Sequence, residues 1–379
     1  MSGDELASRT GGDASAAAES PETKVKKRYA SSKYDFVKVR IWLDRHYYVL
    51  SRFITSRVLT VSHIPYAAAV KIALELKKQL VDLGILDVSQ STLEQHLFTI
   101  MNAYGYGANY ISRMQMMNRF HYRRCPLLIL ICGTGCAGKS TVATRLGERL
   151  NMTNVLQTDL TRDLLQLGSG LLSPTPLWFR SFDSDDDVLN EYRKECRAVR
   201  SGMDLDVAKC CDDGKALILE GFHLDPSLFL EIIRRGNPCA NAEVPPRAKS
   251  DGPAAAKTIL AAGDDGRKAA AAAAAADDGA ESAAPIRPIV IPFLLAVNED
   301  EHRRVVRERF FREGSAGADS ANPARVVEIF QVVQRYLLQF RDIVNYVPMD
   351  MSVPVENQVE RLHDRVLEVI EQAYSTDWF

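Results

Sequence analysis

Four apolar runs mark the chain beyond residue 125, each short enough for a single strand. They are "LLILIC" (Leu127–Cys132), "NVLQ" (Asn154–Gln157), "ALILE" (Ala216–Glu220) and "IVIPFLLAV" (Ile289–Val297). Apolar runs of this length fit strands covered on both faces. Helical stretches separate them, the first an amphipathic segment from about Lys139 to Leu150. Strands alternating with helices predict an α/β fold with right-handed crossovers and a three-layer parallel sheet.

Upstream the pattern changes. "FVKVRIWL" sets Val37, Val39 and Ile41 against Lys38 and Arg40, which predicts a half-exposed strand. "PYAAAVKIALELKKQLVDLG" places Val70, Ala73, Leu74 and Leu80 at helical spacing, with Gly84 as its end. "STLEQHLFTIMNAYG" opens on the capping-box pattern Ser91-x-x-Glu94 and stops at Gly105. Residues 29–122 therefore predict a small, mostly helical unit that packs its own core and shows no chemistry. Residues 1–28 are rich in Ser, Ala, Gly and Asp and end in a basic run, the composition of a disordered tail. Residues 237–288 carry an alanine run at 269–276 and predict a disordered insertion within a larger domain, 123–379.

Composition narrows the function classes. Hydrophobic residues make up 46% and charged residues 25% of the 379, enough apolar surface to bury a core. A net charge of −2, with no basic run interleaved with aromatics, argues against a nucleic-acid partner. No stretch approaches the ~20 apolar residues of a membrane span. The N-terminus has neither the apolar core of a signal peptide nor the Arg-rich character of a transit peptide, so a cytoplasmic location is expected. The seven cysteines lack metal-ligand spacing and read as reduced thiols.

The chemistry concentrates after the first apolar run. "GTGCAGKS" (Gly133–Ser140) is the pattern G-x-x-x-x-G-K-S, placed between a buried strand and a helix. Its glycines let backbone N–H groups turn toward phosphate oxygens, and the helix N-terminus adds positive potential. Gly133, Thr134, Gly135, Cys136, Ala137, Gly138, Lys139, Ser140 and Thr141 are thus the candidate ATP-binding loop. Lys139 is expected on the β- and γ-phosphates and Ser140 on Mg²⁺. Asp159 follows the second strand, where open α/β sheets place their ligands. It can orient or deprotonate an acceptor hydroxyl, or simply cap the next helix. Arg162, one turn later, can pair with an anionic acceptor. Glu220 ends the third strand, where an acid can organise Mg²⁺ through water. His223 beside it can touch substrate or fix its loop. In "NEDEHRRVVRERFFRE", Arg303 and Arg307 share a helix face, and Arg309 and Arg312 continue it. These arginines can close over ATP or belong to a solvated helix of Glu–Arg pairs. The acidic stretch Phe182–Glu191 reads as a solvated helix start, because consecutive Asp side chains diverge.

The order of "GTGCAGKST", "TDLTR" (Thr158–Arg162), "LILEGFHLDP" (Leu217–Pro226), "FLLAVNEDEHRRVVRERF" (Phe293–Phe310) and "RYLLQFRDIVNY" (Arg335–Tyr346) resembles 2-phosphoglycerate kinase. That archaeal enzyme phosphorylates 2-phosphoglycerate with ATP to give 2,3-bisphosphoglycerate. The resemblance runs from about Val49 to the C-terminus, outside the insertion. It is closer still to the eukaryotic branch, the plant low-phytic-acid P-loop proteins, through Tyr47–Leu80, Ile85–Phe98 and Asn154–Leu160. It implies a P-loop kinase domain behind an ATP-cone-like unit, with ATP and Mg²⁺ as cofactors and a small anionic metabolite as substrate. It implies Asp159 and Arg162 facing the acceptor, and a site role for Glu220 and His223, which match an E-G-x-H motif. The lid segment "RERFFREGSAGADSANPARVVEIF", which begins at Arg307, departs from the archaeal pattern. The acceptor therefore stays open between 2-phosphoglycerate and an inositol or inositol phosphate of phytate metabolism. A nucleotide-binding regulatory protein of low turnover is the third reading. Protein partners are left open.

Overall fold

The computed structural model describes residues 33–43, 45–170, 172–236, 287–310 and 323–375. The predicted tail, the predicted insertion up to residue 286, and Arg312 lie outside them. The chain begins with α1 (Lys33–Phe36), β1 (Arg40–Leu43), β2 (His46–Val49), α2 (Arg52–Val61), α3 (Tyr66–Asp82), β3 (Asp87–Ser89), α4 (Gln90–Ala103) and α5 (Ala108–Tyr122). The larger part follows: β4 (Leu127–Gly133), α6 (Lys139–Leu150), β5 (Val155–Gln157), α7 (Thr158–Ser169), α8 (Asp185–Asp212), β6 (Ala216–Glu220) and α9 (Leu230–Gly236). It ends with β7 (Ile289–Val297), α10 (Glu299–Phe310), α11 (Pro323–Leu337), β8 (Asn345–Met349) and α12 (Val355–Ser375).

The larger sheet runs β5-β6-β4-β7-β8, parallel throughout. Strand β4 is buried along its whole length, and its side chains leave on alternate faces. Leu128, Leu130 and Cys132 join one core layer with Tyr192 and Val199 of α8 and Phe330 and Val333 of α11. Leu127, Ile129 and Ile131 join the opposite layer with Val142 and Leu146 of α6 and Leu362 and Val366 of α12. An unbroken apolar run is thus the signature of a central strand with helices on both faces, as its sequence predicts. After β4 the chain goes first to β6 and β5 on one side and later to β7 and β8 on the other. Such a switch point opens a crevice at the carboxyl end of β4, where the glycine loop sits. This is a parallel three-layer α/β architecture with a glycine loop at the end of its central strand.

Strand β8 carried no apolar signal. Its burial alternates, and Pro348 sits within it, as an edge strand allows. The N-terminal unit also holds more strand than its periodicity announced. A three-stranded sheet, β2-β1-β3, packs against its helices, and only residues 40–43 of the predicted "FVKVRIWL" strand lie in it. In α3 the buried stripe is Ala69, Ile72, Ala73, Leu76 and Leu80, whereas Leu74 is exposed. Ser89, two residues before the predicted cap, starts α4 and accepts from Thr92 N. Ser91 and Glu94 sit inside the helix, where Glu94 accepts from Gln90.

The two parts share packing. Met114 of α5 lies in the N-terminal core, while Met116, Met117 and Phe120 pack under the large sheet. Polar contacts fasten the same junction: Arg57 donates to Glu148 O (3.1 Å), and His63 Nε2 lies 2.8 Å from Asp364. No described helix is long and apolar enough to cross a membrane.

Candidate active site

The glycine loop leaves β4 through Gly133, whose φ of +153° no other residue adopts easily. A Cβ there would lie 2.6 Å from Leu295 O. Gly138, with φ +78°, turns the chain into α6. Thr134 donates to Phe330 O (2.8 Å), and His302 Nε2 lies 2.7 Å from Gly135 O. The His302 ring stacks on Phe330, 6.0 Å between centroids. Helices α10 and α11 thus brace the loop from behind. Neither His302 nor Phe330 has a local sequence signal, since one lies in a charged stretch and the other on an apolar helix face.

Lys139 is buried, and its Nζ donates to Thr134 O at 2.6 Å. Burial pulls its pKa down, against the opposing charges of Asp159 and Glu220. Those two carboxylates, one ending β6 and one in the turn after β5, thus act electrostatically on the lysine. Ser140 is exposed at the start of α6, and its side chain favours the charged form of the Glu220 carboxyl. Burial raises the Glu220 pKa, with Ser140 and Lys139 working against it. Glu220 Oε2 is buried without a hydrogen-bond partner. A hard cation or a bound water would satisfy that oxygen, and the serine–carboxylate pair fits Mg²⁺, which takes few protein ligands and fills its shell with phosphate and water. Among the described residues no group of three His, Cys, Asp or Glu could hold a metal ion. Asp185, Asp186 and Asp187 form an exposed first turn of α8, capped by Ser184.

Asp159 lies in the first turn of α7 with its side chain 57% exposed. It does not cap the helix, since the cap residue is Gln157. Phe222 N donates to its Oδ1 (3.4 Å), and His223 Nδ1 lies 3.4 Å away. Burial works to raise its pKa, but His223, Lys139 and the Phe222 N–H outweigh it and hold the carboxyl below its ordinary value.

Arg162 departs from the expectation of a free partner for the acceptor. It is 4% exposed and turned inward, donating to Glu195 (3.3 Å), Asp163 (3.2 Å) and Ser173 O (2.7 Å). Arg180 is likewise engaged, with Glu191 (3.1 Å), Thr175 O (2.7 Å) and Glu195. His223 is also buried, with Nε2 3.0 Å from Glu195. Direct substrate contact by Arg162 or His223 would require these groups to be uncovered. Glu195, buried among them on α8, was not a sequence candidate, because "EYRKECR" reads as a solvated helix.

The α10 arginines divide. Arg303 pairs with Glu299 and Asp300 of its own helix, and Arg307 is exposed. Arg309, near the end of α10, acts electrostatically on Lys139 and Cys136. A cleft of about 440 Å³ opens on the other side of the loop, lined by Gly138, Thr141, Met349, Met351, Pro354 and Val355. A second cleft, about 370 Å³, lies at the amino ends of β5 and β6 beside Lys209 and Lys215, away from the loop. The six cysteines among the described residues are all free.

No protein-family model matches the chain. Over 200 residues it is 29% identical to a 2-phosphoglycerate kinase of Methanopyrus kandleri, covering 50% of this chain and 61% of that protein. Over 188 residues it is 28% identical to the 2-phosphoglycerate kinase of Methanocaldococcus jannaschii, covering 47% and 60%. The chain is similar to archaeal 2-phosphoglycerate kinases. It spans about three-fifths of the length of these curated relatives. Among solved structures, a deoxyadenosine kinase from M. mycoides with bound dATP aligns at 12% identity and a TM-score of 0.30, over 63% of this chain and 98% of that one. So loose a likeness carries no weight beside the strand order and loop described above.

Proposed function

We propose that this chain is an ATP–Mg²⁺-dependent kinase that transfers the γ-phosphoryl group to a hydroxyl of a small anionic metabolite. 2-Phosphoglycerate is the first acceptor to test. The observation that carries the reading is the glycine loop at the carboxyl end of the central strand, with Lys139 buried in it and Asp159 and Glu220 acting on that lysine electrostatically. The similarity to archaeal 2-phosphoglycerate kinases supports it.

In this reading the loop N–H groups and the α6 N-terminus bind the phosphates, and the 440 Å³ cleft takes the adenine. Lys139 exchanges Thr134 O for a phosphate oxygen. Ser140 and Glu220 would hold Mg²⁺, which when bound supplies charge neutralisation on the phosphates. Asp159 orients the acceptor hydroxyl and takes its proton as the new O–P bond forms and the bond to ADP breaks. Arg309, which acts electrostatically on Lys139, would meet charge on the transferring group, rather than Arg303. Catalysis of this kind is positioning and electrostatics. The pairing of Arg162 and Arg180 with carboxylates favours a second acceptor class, an uncharged polyol such as inositol.

The test is ADP release by purified protein with ATP–Mg²⁺ against 2-phosphoglycerate, 3-phosphoglycerate, inositol, inositol phosphates and a DNA 5′-hydroxyl. Stimulation by 2-phosphoglycerate alone supports the first reading, and stimulation by inositol alone selects the polyol. Tight ATP binding without stimulated release by any of them would replace the kinase with a nucleotide-binding regulator.

The loop geometry makes a separate prediction. A Cβ on Gly135 would lie 2.3 Å from the Phe330 ring, so Gly135→Ala must displace either the ring or the loop. Overpacking of this kind costs about 1–3 kcal/mol. ATP affinity, measured by calorimetric titration, is expected to fall about tenfold or more. An unchanged affinity would mean that the Phe330 brace does not shape the site.

A further inference from the structure

Glu195 has no part in the reaction just described, yet it is fully buried and ringed by charge. Arg162 and Arg180 neutralise it on one side, and His223 meets it on the other. The His223 ring spans the distance from Glu195 to the exposed carboxylate of Asp159. Its Nε2 is 3.0 Å from Glu195 Oε2, and its Nδ1 is 3.4 Å from Asp159 Oδ1. No hydrogen bond at standard geometry occupies Nδ1, although the side chain is only 1% exposed. A buried polar atom in that condition is costly unless a partner reaches it, and the polar group it faces is Asp159.

The backbone explains why the ring lies there. Gly221, with φ +145°, lets its loop settle directly on the first turn of α7. A Cβ at this position would lie 1.8 Å from Thr158 Oγ1. His223 N then donates to Thr158 Oγ1 (3.3 Å), and Phe222 N donates to Asp159 (3.4 Å). Three consecutive residues after Glu220 thus serve the turn that carries Asp159.

We propose that His223 is a positioning residue for phosphoryl transfer: it ties the exposed Asp159 carboxylate to buried Glu195 and fixes the face that Asp159 turns to the acceptor hydroxyl. This rests on the kinase reading above. Because Glu195 is held as an anion by two arginines, it accepts a hydrogen bond from Nε2–H of His223. Nδ1 then carries a proton toward Asp159 when the ring is cationic. The charged groups at the ring are Asp159 of α7 and Glu195 of α8, with Arg162 of α7 and Arg180 of the preceding loop on Glu195 and Lys139 acting on Asp159. Burial lowers the pKa of the ring, but the hydrogen bonds and charges of Asp159 and Glu195 outweigh it and raise it overall.

The test compares His223→Gln, which can still donate to one carboxylate, with His223→Leu, which donates to neither. The acceptor is whichever panel compound stimulates ADP release most. In His223→Leu, kcat is expected to fall about 10–100-fold, the scale of a misplaced reacting group, with the ATP KM and Kd within twofold. His223→Gln should recover part of kcat. Wild type should lose rate as the ring deprotonates at high pH, and His223→Leu should lack that limb. A kcat within twofold of wild type in His223→Leu overturns the proposal, as does a loss of ATP binding in step with kcat. Should either variant fail to fold, nitrogen NMR of intact wild type and Asp159→Asn reads the link directly. The His223 pKa should drop when Asp159 is neutralised, and an unmoved pKa overturns the proposal. A wild type with no stimulated turnover ends the kinase reading instead, and the NMR comparison still decides whether His223 and Asp159 are coupled.

Discussion

Lys139→Ala is expected to abolish the proposed acceptor-stimulated ADP release while the protein stays folded. Lys139 is the loop cation on which Asp159 and Glu220 act electrostatically, and it is held on Thr134 O inside the loop. Removing one preorganised donor from a transition state costs about 10²–10³-fold in rate, and the alanine variant should lose at least that much. The fold should survive, because burial disfavours the lysine charge and alanine is compatible with the first turn of α6. A thermal melt within a few degrees of wild type, together with lost turnover, is the expected pair of results. Unchanged turnover would remove the glycine loop from the reaction altogether.

Glu195→Ala has the opposite profile: a large loss of stability, read by urea unfolding. The substitution leaves Arg162, Arg180 and His223 facing one another without their anion, at side-chain exposures of 5%, 14% and 1%. Breaking a buried charge cluster by deleting one partner costs about 3–5 kcal/mol. A loss under about 1 kcal/mol would show that the cluster is solvated. The cluster also sets an acid limb. Burial pushes the Glu195 carboxyl up, but His223 and Arg180 outweigh it and bring it down to about 2 from an ordinary 4.5. A carboxyl depressed in the fold takes up its proton more readily once unfolded. Its contribution is therefore complete above pH 4.5 and is lost as the pH falls toward 2. Glu195→Gln should show a flatter stability profile across that window than wild type.

Both outcomes turn on residues that differ in how visible they were. Lys139 stood out because its chemistry is local: eight consecutive residues, a strand before them and a helix after. Asp159 and Glu220 were visible for a related reason. Glu220 ends an apolar run and Asp159 follows one by two residues, and a parallel sheet delivers strand ends to one edge. Glu195 was hidden because nothing within its own helix separates a buried glutamate from a solvated one. Its partners lie 15 to 33 residues away along the chain. The same distance disguised Arg162. At one turn from Asp159 it looked available to an acceptor, but α8 offers it a carboxylate first.

The sequence by itself determined the layered α/β architecture, three strongly apolar strands and the short β5, the glycine loop, and the placing of two acids near it. These follow from periodicity and from backbone rules that act over a few residues. Tertiary structure alone decided which polar groups face the site and which are spent inside. It turned Arg162 inward, put His302 and Phe330 behind the loop, added edge strand β8, and drew His223 between Asp159 and Glu195. The physical reason is that a buried charge is stable only beside its partner, and the partner comes from another element, which no local pattern can name.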